Sequence, residues 1–284
     1  MKIQAIETGH FLWRETDEVT YVEPAVLSDH PELCCAFTTR HAGRSGRALN
    51  LSFDLGVRAD VLANRQKLLH ALGLGHTSLV TVRQVHGKHV CIVDAQALRR
   101  GLTGVSADAL ITTLPEVPLG VLAADCLPIV LYSLQPRVLA LVHAGRLGTY
   151  HRIVSAVLDI MYSRFAVQSQ HVFAILGPGI GACCYRLDER AVAPFRDRFS
   201  DWEEFFLPQG EGYWTMSLIR ANEAQLCAAG VPAAHVHTAH ICTVCHGEHF
   251  YSHRAEGRET GRGMGVAVLL SSVVPHDRST SREF

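Results

Sequence analysis

Two neighbouring apolar runs dominate the middle of the chain: "LGVLAADCLPIVLYSL" over residues 119–134 and "PRVLALVHAGRLG" over residues 136–148. Both read as strands at the centre of a core. Asp125 and Cys126 break the first run, and His143 ends the second. A polar group buried without a partner costs on the order of 2–7 kcal/mol. These three residues therefore need a reason to be there.

Around this centre, a 3.6-residue period places Val61, Leu62, Leu68, Leu69 and Leu72 on one face of a helix over 60–75 that stops at Gly75. Further strands are expected at 79–82, 89–93, 119–123, 129–133, 138–143, 172–176, 236–241 and 265–270. A helix over 149–165 stacks Ile153, Val154, Val157, Leu158 and Met161, and another over 216–229 ends at Gly230. Short turns such as "SLQPR" favour antiparallel pairing. The class expected is α+β with mixed sheets rather than a doubly wound parallel fold. No repeat or Pro/Ser-rich linker divides the chain, so residues 1–284 read as one domain with a loose tail at 275–284.

Composition narrows the function. Hydrophobic residues are 48% and charged residues 19%, enough for a substantial core. The formal net charge of −1 argues against a nucleic-acid surface built on bulk positive charge. The first residues lack an apolar signal region, and no run approaches the roughly 18–20 apolar residues of a membrane span. A cytoplasmic protein without membrane partners is expected. Nine cysteines, an odd number, do not suggest a disulfide framework here, and 17 histidines tilt the choice towards metal.

The chemistry concentrates at strand ends. His86 in "RQVHG", Cys126 in "ADCLP" and His143 in "HAG" each lie near a residue that permits a sharp turn (Gly87, Pro128, Gly145). Two imidazoles and a thiolate are natural zinc ligands, and three protein ligands leave a fourth position open, as catalytic zinc sites do. The same donors suit copper. Gln84 and Arg40, the latter in "TTRHAG", are candidates for binding substrate, Arg40 equally a solvated loop cation. Asp125 is a candidate either for substrate binding or for holding a ligand histidine by hydrogen bond. "GPGIG" (177–181) lacks the lysine of a P-loop but offers a tight turn whose N–H groups suit an anion. Cys242 and Cys245 have CxxC spacing without a second such pair, so no structural zinc is expected there. Cys34–Cys35 and Cys183–Cys184 read as small core residues.

"FTTRHAG" (37–43), "RQVHG", "ADALITT" (107–113), "AADCLPIVLY", "HAG" (143–145), "LGPGIGACCY" (176–185) and "CTVCHGEHFYSHR" (242–254) occur in the order of the YfiH/laccase-domain family, which the chain resembles over about 35–270. That resemblance implies a sandwich of two mixed sheets flanked by helices, like the catalytic domain of cytotoxic necrotizing factor. It implies zinc on His86, Cys126 and His143, with these residues carrying catalysis. It also implies phosphorolysis of purine nucleosides (adenosine, inosine, methylthioadenosine) with adenosine deaminase activity, so purine nucleosides and phosphate are the expected partners. A copper-dependent polyphenol oxidase is the alternative; it would need clustered His-X-His pairs, and the chain has one, His235 and His237. A metal-stabilised member without turnover is the third. The family's His-Ala-Gly-Trp-Arg-Gly is here "HAGRLG". Leu147 takes the place of the family arginine, and Arg146 is the cation that substitutes for it if it points the right way.

Overall fold

The computed structural model describes residues 11–43 and 46–271. The tail expected at 275–284 lies outside the described residues. Two sheets pack face to face, and helices cover the outer face of each. The five-stranded sheet is antiparallel throughout, in the order Phe11–Glu15, Thr20–Pro24, Leu33–Thr38, Gly263–Leu269, Leu119–Ala123. The six-stranded sheet runs Val236–Thr238, Phe173–Leu176, Leu127–Leu134, Arg137–Ala144, Ala109–Thr112, Val90–Ile92. Its two outermost pairings are parallel and the rest antiparallel, so it is mixed. This is the α+β class expected from the pattern, in the sandwich that the resemblance implies, except that only the six-stranded sheet is mixed.

Side-chain alternation explains the layers. On Arg137–Ala144, Val138, Ala140, Val142 and Ala144 face the helices Ile153–Phe165 and Leu218–Ala228. Leu139 and Leu141 face the other sheet, against Phe37, Leu119 and Val121. Truncating either leucine to Ala in so dense a layer costs about 2–5 kcal/mol. His143 shares their parity and closes the strand at its end.

The strand Leu127–Leu134 does the same in reverse. Leu127, Ile129 and Leu131 face the helices, and Val130 and Tyr132 face the sheet interface. Cys126 precedes this strand on the parity of Val130. Because the two strands are antiparallel, with His143 paired to Pro128, the start of one and the end of the other meet at one rim of the sandwich.

Several elements differ from the sequence pattern. The helix expected over 149–165 is two helices, Arg146–Tyr150 and Ile153–Phe165, broken where Arg152 adopts a left-handed φ of 57°. Leu62 is exposed, one residue round the helix Arg58–Ala71 from the buried Val61. Residues 79–82 form only an isolated bridge, Val80 to Leu119. The strands Phe11–Glu15, Thr20–Pro24, Leu33–Thr38 and Ala109–Thr112 and the helix Glu189–Arg198 were not apparent in the pattern. No helix among the described residues is long and apolar enough to cross a membrane.

Candidate metal centre and active site

At the rim, the ligand atoms of His86, Cys126 and His143 all lie within 4.8 Å of one another. The three come from different elements: the loop after residue 84, the start of Leu127–Leu134 and the end of Arg137–Ala144. Burial is graded across them, with His86 exposed, Cys126 half-buried and His143 buried. The rings of His86 and His143 meet edge to face with centroids 4.8 Å apart. The site therefore opens to solvent on the His86 side.

Asp108 builds two sides of this arrangement at once. It is fully buried, immediately before the strand Ala109–Thr112. Its Oδ1 lies 2.9 Å from His143 Nδ1, and its main-chain carbonyl accepts from His143 N at 2.7 Å. Its carboxylate also accepts from the N–H groups of Val85, His86 and Gly87, the last two at 2.8 and 2.7 Å. One carboxylate thus fixes the ring of one candidate ligand and the main chain of another. His86 sits at φ 58°, a strained region for a residue with a side chain, and these bonds hold it there. With Nδ1 engaged, His143 presents Nε2 to the ligand cluster.

Gly145 leaves the space the thiol needs. A Cβ at this position would stand 2.5 Å from Cys126 Sγ and 3.4 Å from His86 Cδ2. Burial works against ionising Cys126, but the neighbouring His143 and His86 outweigh it and lower the thiol to about 6. Burial likewise disfavours charge on His143, yet Cys126 and Asp108 raise it to about 9. Burial disfavours the charge on Asp108 too, and the bonds from His143, Gly87 and His86 override it to hold the carboxyl below its usual range. Two imidazoles and a readily ionised thiol, their ligand atoms converging and one ring braced by a carboxylate, fit a divalent metal.

The remaining sequence candidates fall elsewhere. Asp125 does not hold a ligand histidine; that role falls to Asp108. Asp125, at φ 88°, instead accepts from Thr243 Oγ1 at 2.6 Å and from Arg254 N at 2.7 Å, which ties the 242–254 segment to the residue next to Cys126. Gln84 clamps the main chain of Leu122 with both ends of its amide, at 2.8 and 2.7 Å. Arg40 is engaged with Gly247 O, with Glu256 at 2.5 Å and with the Tyr251 ring. The "GPGIG" turn offers no N–H to an anion: those of Gly177, Gly179, Ile180 and Gly181 go to Pro128 O, Ile241 O, Asp125 O and Cys242 Sγ.

Positive charge does converge on the site, from residues the sequence only half revealed. Arg146 is half-buried, whereas Leu147 is 43% exposed. Burial and the Cys126 charge raise the Tyr185 phenol, and Arg146 and Arg254 oppose them. Arg262 also feels the charge of Cys126: burial lowers its guanidinium, and Cys126, Asp125 and Asp54 push it back up. Asp108, Tyr185, Arg254 and Arg262 were missed as site residues. The one sequence signal for Asp108 was a carboxylate directly before the apolar run Ala109–Ile111.

A family model described as "Multi-copper polyphenol oxidoreductase laccase" matches residues 34–270. Among curated relatives, "Purine nucleoside phosphorylase YlmD" of Geobacillus stearothermophilus is 34% identical over 239 residues, 79% of this chain and 86% of that protein. "Adenosine deaminase RL5" from an unknown prokaryotic organism is 34% identical over 240 residues, 80% of this chain and 90% of that protein. The crystal structure of YlmD superposes with a TM-score of 0.81 at 28% identity, covering 91% of this chain and 98% of that one. That of YfiH from Bacillus licheniformis gives 0.81 at 26% identity, covering 90% and 98%.

Proposed function

This chain belongs to the multi-copper polyphenol oxidoreductase laccase family, and on that premise we propose that it is a zinc-dependent enzyme of purine nucleosides, combining phosphorolysis with adenosine deamination. The observation that carries the reading is the convergence of His86, Cys126 and His143 at an open rim, with Asp108 behind His143. Relatives named purine nucleoside phosphorylase and adenosine deaminase support it. His86, Cys126 and His143 would hold the metal, which when bound supplies a Lewis acid and makes water a nucleophile near neutral pH.

The chain's own residues divide the rest of the work. Asp108 keeps His143 in the tautomer that leaves Nε2 free and holds the His86 loop in its strained turn. Arg146, beside Tyr185, supplies positive charge for phosphate, with Arg254 and Arg262 adding to the field around Cys126. In phosphorolysis a phosphate oxygen bonds to C1′ as the C1′–N9 bond breaks and the purine leaves with a proton. In deamination water adds at C6 and ammonia departs.

Copper oxidase chemistry is the second reading, because the family description names it and the His/His/Cys donors also suit copper. The His-X-His pair argues against it: His235 stacks on Phe173 at 4.1 Å and its Nδ1 contacts Val172 O, which is packing. Purified protein incubated with adenosine should yield inosine without phosphate, and adenine with ribose 1-phosphate only when phosphate is added. Absence of all three products with zinc loaded would overturn the proposal.

A further inference from the structure

A second cluster lies on the far side of Asp125. The sulfurs of Cys183, Cys184, Cys242 and Cys245 all fall within 4.8 Å of one another. Cys183 and Cys184, expected in the core, are exposed and half-buried respectively, on the turn after Gly181. Each places its sulfur 3.5 Å from that of Cys245. The CxxC pair therefore does have a partner pair, an adjacent Cys–Cys brought across by the fold.

We infer that these four cysteines form a second metal site, an all-thiolate tetrahedral zinc site separate from His86, Cys126 and His143. Three observations carry this. First, size: ligands about 2.3 Å from one zinc stand about 3.8 Å apart on a tetrahedron; two of the sulfur separations are 3.5 Å and the rest lie within 4.8 Å. An iron–sulfur cluster, with several irons between its thiolates, needs a wider cage. Second, the main chain is set to accept a thiolate. The N–H of Gly181 donates to Cys242 Sγ at 3.2 Å. Third, the two segments are already registered for a closed site: Gly179 N donates to Ile241 O, Thr243 N donates to Gly179 O, and Gly179 bridges Cys242.

The site's role follows from what lies between its ligands. Thr243, flanked by Cys242 and Cys245, holds Asp125 at 2.6 Å, and Ile180 N holds the Asp125 carbonyl at 2.8 Å. Crosslinking 183–184 to 242–245 through one ion clamps two of the three partners of Asp125, Thr243 and Ile180, and so the loop that aims Cys126. This staple acts through structure and touches no substrate.

Metal analysis of the full chain tests the inference. Wild type should retain about two zinc ions per chain. Cys245→Ser and Cys126→Ala should each retain about one, and the double variant none. Cobalt substitution of Cys126→Ala should give the ligand-field and sulfur charge-transfer bands of a four-sulfur tetrahedral site; if Cys245→Ser does not fold, this spectrum and the zinc content of Cys184→Ser decide. One zinc per chain in wild type, lost in Cys126→Ala and kept in Cys245→Ser, would overturn the inference. So would two thiols missing from a denatured, metal-free titration, with peptide mapping showing Cys245 linked to Cys183 or Cys184.

Discussion

Asp108 Oδ1 lies 2.9 Å from His143 Nδ1, and both side chains are buried. Because the same carboxylate takes the N–H groups of Val85, His86 and Gly87, the geometry of the rim depends on one residue that binds no metal itself. Asp108→Asn keeps the size but loses the charge and one acceptor. Metal affinity should fall by about ten- to a hundredfold, the range for groups that orient ligand histidines. Titration against a competing chelator measures this, and unchanged affinity would mean that the carboxylate only packs.

Metal-free protein should reveal the Cys126–His143 pair through pH. Cys126 is depressed to about 6, so its stabilising contribution is complete above its ordinary pKa of 9.0 and is lost as pH falls through 6. His143 is raised to about 9, so its contribution is complete below 6.5 and is lost as pH rises through 9. Both groups are charged between about 6 and 9. Thiolate absorbance of the stripped protein should rise with a midpoint near 6, and His143→Ala should move it up towards the ordinary thiol range. A midpoint unmoved by that substitution would contradict the pairing.

In the altered "HAGRLG", we propose that Arg146 is the cation that serves the anion. Arg146 is half-buried and its charge acts on the Tyr185 phenol, while Leu147 is exposed. A charge-assisted hydrogen bond is worth roughly 1.5–3 kcal/mol. Arg146→Ala should therefore raise the phosphate KM about ten- to a hundredfold, with phosphate-independent deamination less affected. Leu147→Arg should leave that KM within about twofold. Initial rates across phosphate concentrations check both, and the reverse ranking would place the anion on the other side of the helix.

Gly145→Ala tests the close approach at the rim. Its Cβ would meet Cys126 Sγ at 2.5 Å, so the thiol or the turn must shift. Metal occupancy at this centre should fall severalfold while far-ultraviolet circular dichroism stays near wild type. Full occupancy would show that the thiol is not where the structure places it.

The sequence made the central strands, the flanking helices and the histidine–cysteine trio legible because each leaves a local signature. Leu139 and Leu141 alternate with Val138 and Ala140, and His143 interrupts that alternation. The strand Phe11–Glu15 hid because Trp13, Arg14 and Glu15 lack a clean apolar face, and the helix Glu189–Arg198 hid because Pro194 sits inside it. Asp108 could not be told from Asp125 as the histidine's partner, since only the pairing of Ala109–Thr112 with Arg137–Ala144 brings it alongside. The four-cysteine cluster was invisible for a similar reason. Its halves are about sixty residues apart and have unlike spacings, so no local motif announces it.

The most direct test of the account measures metal and turnover together at the three converging residues. His86→Ala, Cys126→Ala and His143→Ala should each lose about one zinc ion per chain relative to wild type and lose adenosine turnover at least a hundredfold, with the fold retained. Variants that keep both full metal content and wild-type nucleoside turnover would contradict it.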